Sequence, residues 1–308
     1  MKYLYYFCFF CIVTVYLTSC QTVRNYRLGA GLHAHDLIYQ PKPFAPKDSG
    51  VHSAWYVGGV YTVGDGYNRA TNASKNGYKF GLAQVSRAHS WRNASISYGT
   101  FGFIGTYAIG PYTFSEYDTT SHTSSPSYGR LFSQYAGTYH FYGWGMRGSA
   151  HLNACIGGGK NVNWRYLGIE WAYSQEYGSL YDIRQKIPNK TIYHSRYVGL
   201  GSREYTDNWI VASSRGLTTL ALSSELVFNH FPDNEGAMIL KATWGKTITK
   251  DYTGPQWFNT SNIMLAFQVE RHLASCTIGN NARKPAIQFG YIYRLGEFRT
   301  KKKRASNY

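Results

Sequence analysis

Ionisable side chains are sparse along most of this chain, and several stand in unusual company. Glu170, Glu225, Lys241, Glu270 and Arg294 each sit among Gly, Ala, Ser, Thr or Gln on one parity of a two-residue alternation. One charge per segment on an otherwise small face suits an interior filled by paired ions, because a buried charge must have a counter-charge. The same residues could instead line a narrow polar pore or a proton-active site. His33-Ala34-His35-Asp36 is a second candidate. Its two His are spaced to share a strand face, and His with Asp can ligate zinc. The spacing supplies no third or fourth ligand, so an ordinary solvated pair and no metal are expected. Ser149 with His151, and His272 with Ser275, offer a nucleophile beside a base. No nucleophile elbow surrounds either pair. The Gly runs lack the Lys-Ser/Thr of a phosphate loop. No catalytic residue and no cofactor is expected.

These residues must be positioned by strands. Alternation with period two is clear in the C-terminal half. Leu167, Ile169, Trp171 and Tyr173 oppose Gly168, Glu170 and Ala172. Leu220, Leu222, Leu226 and Phe228 oppose Thr219, Ala221, Ser223 and Glu225. The segments 237–246, 263–272 and 286–295 repeat the pattern, with Lys241, Glu270 and Arg294 on the small face. Segment 139–156 keeps one register throughout, with Arg147, Ser149, His151, Asn153 and Cys155 sharing a parity. Segments 54–63, 78–87 and 94–105 are strand-like with Gly and Tyr on both faces. These make nine strands, and a tenth is expected within 177–215 or before Pro41, since bacterial barrels favour even numbers. Segments 65–77, 106–137, 177–215 and 250–261 are long, polar and Tyr-rich, and no useful helical periodicity is present. Pro41, Pro43 and Pro46 exclude a central strand or helix interior from 20–50, which is expected to be a linker.

The chain has 308 residues, a formal charge of +16, 17% aromatic residues and 32 Gly. That aromatic content excludes disorder. The sole long apolar run, at the N-terminus, excludes a helical membrane bundle. Residues 1–19 have the positive start and short apolar region of a signal peptide. The run ends Leu17-Thr18-Ser19-Cys20, which resembles a bacterial lipobox and implies a covalent lipid on Cys20. Gln21 follows, where Asp would suggest inner-membrane retention in enteric bacteria. After cleavage Cys155 and Cys276 could pair in an oxidising periplasm or remain two thiols. The tail 297–308 is basic; it could meet anionic headgroups or be solvated. The export signal disfavours nucleic acid as a partner despite a pI near 9.5.

Two-faced antiparallel strands fit either a transmembrane barrel with its apolar face in lipid or a soluble sandwich with that face as its core. A water-facing surface would carry many Lys and Glu, and neither face here does. Rows such as Leu220–Leu222, Leu265–Phe267 and Phe289–Tyr291 are therefore expected to face hydrocarbon, with Trp144, Trp171, Trp244, Tyr291 and Tyr293 in the interfacial girdles. The expected fold is all-β, an antiparallel up-and-down transmembrane β-barrel of about ten strands (8–12) over 51–296. With the lipobox and the final strand Ile287–Leu295, the chain resembles a small lipidated outer-membrane β-barrel of the Bacteroidota type. One departure is that Glu297-Phe298 and a basic tail follow the last strand, where such barrels often end in an aromatic. The resemblance implies a lipid-anchored, non-catalytic barrel in the bacterial outer membrane. It would be structural or an accessory subunit of a secretion or biogenesis assembly, with outer-membrane lipid and envelope proteins as partners. A narrow solute channel, a lipid-modifying barrel enzyme and a soluble β-sandwich lipoprotein are the alternatives.

Overall fold

The computed structural model describes residues 24–28, 30–32, 35–44, 50–66, 76–110, 112–116, 127–131, 135–156, 162–187, 190–198, 201–228, 236–251, 254–281 and 284–300. Strand β1 (Arg24–Leu28) precedes a non-regular segment over 30–44. Then come β2 (Val51–Gly66), β3 (Asn76–Ser90), β4 (Ala94–Ile109), β5 (Tyr112–Glu116) and β6 (Ser127–Leu131). Next are β7 (Gly137–Ile156), β8 (Val162–Tyr177), helix α1 (Ser179–Lys186), β9 (Lys190–Val198) and β10 (Gly201–Val211). The chain continues with β11 (Gly216–Phe228), β12 (Gly236–Asp251), β13 (Gly254–Val269), β14 (His272–Asn281) and β15 (Lys284–Thr300).

Ten of these strands close into one barrel in the order β11-β12-β13-β14-β15-β2-β3-β4-β7-β8. Every neighbouring pair is antiparallel, and β8 returns to β11. The closing seam is β15 against β2, from Ala286 opposite Gly64 to Thr300 opposite Val51. Closure leaves no open sheet edge, the condition that a strand protein must meet in hydrocarbon. The β5–β6 hairpin, and a sheet in which β1 lies parallel to β10 and β10 antiparallel to β9, stand outside the cylinder.

The two ends of the barrel differ. At one, here the turn end, lie Val51, Thr300 and the connections 91–93, 157–161, 229–235 and 270–271. At the other, the loop end, lie 67–75, 110–136 and 178–215, together with the tight connections 252–253 and 282–283. Helix α1 and the β1–β10–β9 sheet belong to the loop end, where Leu180, Ile187 and Val211 pack on Phe141 and Leu217 of the barrel wall.

The outer wall is apolar. Leu220 is 49% exposed, Leu265 39% and Phe289 58%, with Ile169, Ile263, Phe267 and Ile287 in the same rows. A soluble sandwich would have packed these rows inward. Trp144, Trp171, Trp244 and Tyr291 are exposed on this wall, whereas Tyr293 is half-buried. Lys79, near the start of β3, and Arg87, near its end, lie on the outward parity, where a long basic side chain can reach an interface.

Several boundaries depart from the sequence reading. The tenth barrel strand is β14, not a segment of 177–215 or one before Pro41. Its turn, Glu270-Arg271, carries no Gly, Asn or Pro, yet Glu270 adopts φ 51°. Without a turn signal, alternation runs on from β13 into β14. Residues 177–215 do form two strands, but outside the barrel, and they include α1, too short to leave a periodic signal. Connection 250–261 shrinks to 252–253 because β12 and β13 are both longer than their clean alternation. At the C-terminus β15 continues to Thr300 rather than ending near 295. A bulge between Arg294 and Gly296 switches parity, so Leu295 and then Phe298 face outward. Phe298 therefore supplies an aromatic near the end of the last strand. Cys276, half-buried on β14, is free; Cys155 is on β7, half-way round the barrel from it. Residues 1–23, with Cys20, lie outside the described residues.

A hydrocarbon-facing exterior makes a measurable claim. Leu222→Arg, at the middle of β11, should lower unfolding stability in lipid vesicles by about 2–4 kcal/mol. Unchanged or raised stability would mean that this row faces water.

Candidate functional site

The lumen is occupied by the chain's own N-terminal segment. Residues 30–32 and 35–43 are buried, so the Pro-rich stretch expected to be a linker is a plug. Extended backbone of this kind cannot be left unsatisfied in an interior, and the barrel wall supplies its partners. The Gly31 amide donates to Glu176 of β8 at 2.5 Å. Arg147 of β7 donates to the Ile38 carbonyl at 3.0 Å. The Gln84 amide of β3 donates to the Tyr39 carbonyl, and Ser90 to the Pro43 carbonyl at 2.7 Å. Arg165 of β8 donates to the carbonyls of Lys42 and Pro43. A Cβ at residue 31 would run into the Phe141 ring, which explains Gly there.

The lumen has two zones. Toward the loop end it is apolar: Ala30, Leu32 and Ile38 of the plug, with Leu28 at the end of β1, cluster with Phe80, Phe101, Phe103, Phe141, Tyr78 and Tyr107. Burying side chains such as Leu32 and Ile38 contributes about 1.5–3 kcal/mol each. Aromatic side chains of the N-terminal wall therefore turn inward, and with Tyr56 and Tyr78 buried but Tyr61 and Tyr98 exposed, Tyr occupies both parities in that half. Toward the turn end the lumen is ionic. Glu225 of β11 pairs with Arg165, accepts from the Tyr39 hydroxyl at 3.0 Å, and lies 3.9 Å from Lys42. Glu170 of β8 lies 2.6 Å from Lys241 of β12 and 3.6 Å from His151 of β7. Near the loop-end start of β11, beside the apolar zone, the Thr219 hydroxyl is 2.8 Å from both carboxylate oxygens of Asp36 and 2.8 Å from Thr247. At the loop-end mouth Glu176 holds Arg184 of α1 at 2.6 Å as well as Gly31.

Of the charges singled out from sequence, Glu170, Glu225 and Lys241 point into this lumen. Glu170 and Lys241 form one pair; Glu225 belongs to a second with Arg165 and Lys42. The other two correct the expectation. Glu270 is in the β13–β14 turn and exposed, because β13 ends at Val269. Arg294 sits at the turn-end bulge of β15, half-buried, and pairs with Glu297 at 2.8 Å. Sequence reasoning missed Arg165, which by strict alternation belongs with the outward row of β8. A register slip between Arg165 and Leu167 turns it inward to Glu225. It also missed Tyr39, Gln40 and Lys42, since proline spacing marks only the absence of regular structure. Arg147 and His151 were visible, standing on the polar parity of β7.

His35 and Asp36 are buried rather than solvated. His35 Nε2 lies 2.6 Å from the Tyr78 hydroxyl and Nδ1 3.3 Å from the Gln288 amide. Both ring nitrogens thus have protein partners, which leaves none for a metal. Among the described residues no group of three or more His, Cys, Asp or Glu is placed to hold an ion. His33 and Ala34 lie outside the described residues.

The Ser–His pairs are rearranged too. Ser149 bonds Ser97 at 2.7 Å, and His272 bonds the Tyr291 hydroxyl at 2.6 Å. His151 Nε2 instead meets Ser223 at 2.9 Å, with Glu170 on the same nitrogen and Nδ1 without a partner. A catalytic triad needs its carboxylate on the nitrogen opposite the nucleophile. This cluster has the composition of a triad but not its geometry, and it is buried.

No family model matches the chain, and no curated protein matches it. Among solved structures, the translocator domain of the autotransporter NalP from Neisseria meningitidis aligns at TM-score 0.32 and 9% identity, over 80% of this chain and 89% of that one. The β domain of the Bordetella autotransporter BrkA aligns at 0.31 and 10%, over 80% and 100%. An outer membrane channel from Pseudomonas putida F1 aligns at 0.30 and 9%, over 84% and 100%. Values this low identify no relative.

Two measurements address the plug. Glu225→Gln leaves Arg165 and Lys42 without their counter-charge and should lower unfolding stability by about 3–5 kcal/mol, with Glu225→Gln/Arg165→Met losing less than the sum of the single changes. Additive losses would show that the pair is not coupled. The Gln40 side chain accepts from Ser97 of β4 at 3.1 Å. Gln40→Cys/Ser97→Cys, combined with Cys155→Ala and Cys276→Ala, should therefore cross-link in the folded protein with a short bifunctional thiol reagent, which spans the length lost with the Gln side chain. Failure to cross-link would place residue 40 elsewhere.

Proposed function

We propose that the protein is a non-catalytic barrel lipoprotein of the bacterial outer membrane, acting as a structural or accessory subunit of an envelope assembly. The observation that carries this reading is the filled lumen. A barrel that conducts needs a continuous polar path, and here the plug, the aromatic cluster around Phe141 and the ion pairs of Glu225 and Glu170 occupy that path. The apolar exterior supports membrane insertion, since a charge at mid-depth on such a wall costs about 2–4 kcal/mol and the outward Lys79, Arg87 and Lys246 stand off the centres of their strands. The three longest connections, 67–75, 110–136 and 178–215, all lie at one end, which matches the long cell-surface loops of bacterial barrels. On this reading the loop end, with its β1–β10–β9 sheet and β5–β6 hairpin, is the part offered to partners outside the cell. Lipidation of Cys20 would add a second anchor, each buried methylene contributing about 0.8 kcal/mol.

Planar-bilayer recording tests the central point. The purified full-length protein should give no steady single-channel steps. Regular steps whose ion selectivity changes in Glu225→Gln would replace this reading with that of a narrow channel. Purification in mild detergent from the native envelope tests the accessory role: a stoichiometric partner is expected, and a protein that always runs alone would remove that role.

A further inference from the structure

The plug has a direction. Read from Gly31 to Pro43, its wall partners move steadily along the barrel axis. Gly31 meets Glu176, one residue from the loop-end limit of β8. His35 and Asp36 meet Tyr78 and Thr219, near the loop-end starts of β3 and β11. Ile38 and Tyr39 meet Arg147 and Gln84, at the middle of β7 and β3. Gln40 meets Ser97, near the turn-end start of β4. Pro43 meets Ser90, the last residue of β3 at the turn end. The chain then enters β2 at Val51. The segment thus enters at the loop end and leaves at the turn end, and β1 lies with β10 at the loop end. The Ala212 amide donates to the Leu28 carbonyl at 3.0 Å, fixing the point of entry.

We propose that the N-terminus is displayed on the loop side of the membrane, and that the acyl chains on Cys20 enter the leaflet of that side, the cell-surface leaflet. The proposal rests on the outer-membrane reading above. It follows from chain length. Cys20 precedes Arg24 by four residues. Four residues span at most about 14 Å. The hydrocarbon layer is about 30 Å thick, so the opposite leaflet is out of reach from Arg24. Return through the lumen is closed by the segment already in it. The N-terminal anchor and the C-terminal end of β15 therefore lie on opposite sides of the membrane, although Val51 and Thr300 are paired neighbours.

Three full-length proteins test this, each with one epitope, inserted after residue 22, at 121 in the β5–β6 connection or at 233 in the β11–β12 connection. They are produced in a bacterium with an outer membrane and probed with antibody on intact and on permeabilised cells. The expected result is labelling of 22 and 121 on intact cells, and of 233 only after permeabilisation. If 22 labels with 233 while 121 labels on intact cells, the barrel reading stands and the display proposal is overturned. If 121 and 233 label alike and heat-modifiable mobility is absent, the barrel reading falls and takes the proposal with it. Metabolic labelling with an alkynyl fatty acid should mark the protein and be lost in Cys20→Ser. Absence of label in the unsubstituted protein would overturn the lipid half. Surface labelling of residue 22 should persist in Cys20→Ser, because the plug, not the lipid, fixes the side.

Discussion

Glu225 gathers three groups from two parts of the chain: Arg165 of the neighbouring strand, and Tyr39 and Lys42 of the plug. A carboxylate with no exposure inside a closed barrel is tolerable only if it is paired and hydrogen-bonded. The wall contributes one counter-charge and the N-terminal segment contributes the rest, so neither is complete alone. The same dependence recurs at Glu176, which ties Gly31 to Arg184 of α1, and at Asp36, which reaches Thr219. Among the described residues the buried acids Asp36, Glu170, Glu176 and Glu225 face the buried bases Lys42, Arg147, Arg165, Arg184 and Lys241. The interior is therefore close to neutral, and the chain's large positive excess lies elsewhere.

The two zones of the lumen divide the work of holding the plug. The apolar zone around Phe141 supplies area and little register, since Leu32 or Ile38 could slide along a ring of aromatics at small cost. The polar zone supplies register. Arg165 can reach the carbonyls of Lys42 and Pro43 in one position only, and a shift of one residue would turn Tyr39 from Glu225. Aromatic burial holds the segment inside, and ionic pairing decides where it stops.

What the sequence revealed followed from periodicity. Strands such as β11, β12 and β15 announce themselves because lipid and lumen impose opposite demands on successive residues, and Leu220 against Thr219 records both. Where the backbone departs from strict alternation the record breaks. The slip beside Arg165 hides a luminal cation on the outward parity, and the bulge at Arg294 hides the last turn of β15. The turn at Glu270 hides a whole strand, since a residue without turn chemistry takes a left-handed conformation there. The plug was opaque for a different reason. Its partners are remote in sequence, Tyr39 from Glu225 and His35 from Gln288, and proline spacing says only what it is not.

The order β15-β2, with the plug leading straight into β2, ties two events of assembly together. A lumen this full gives no room for a chain end to be drawn through a finished cylinder. The wall must zip shut around a segment already lying across it, and β15–β2 is the seam that joins its first strand to its last. The product is a lasso whose noose is a hydrogen-bonded sheet. Pulling on its N-terminal end would be resisted by the whole circumference until that seam parts.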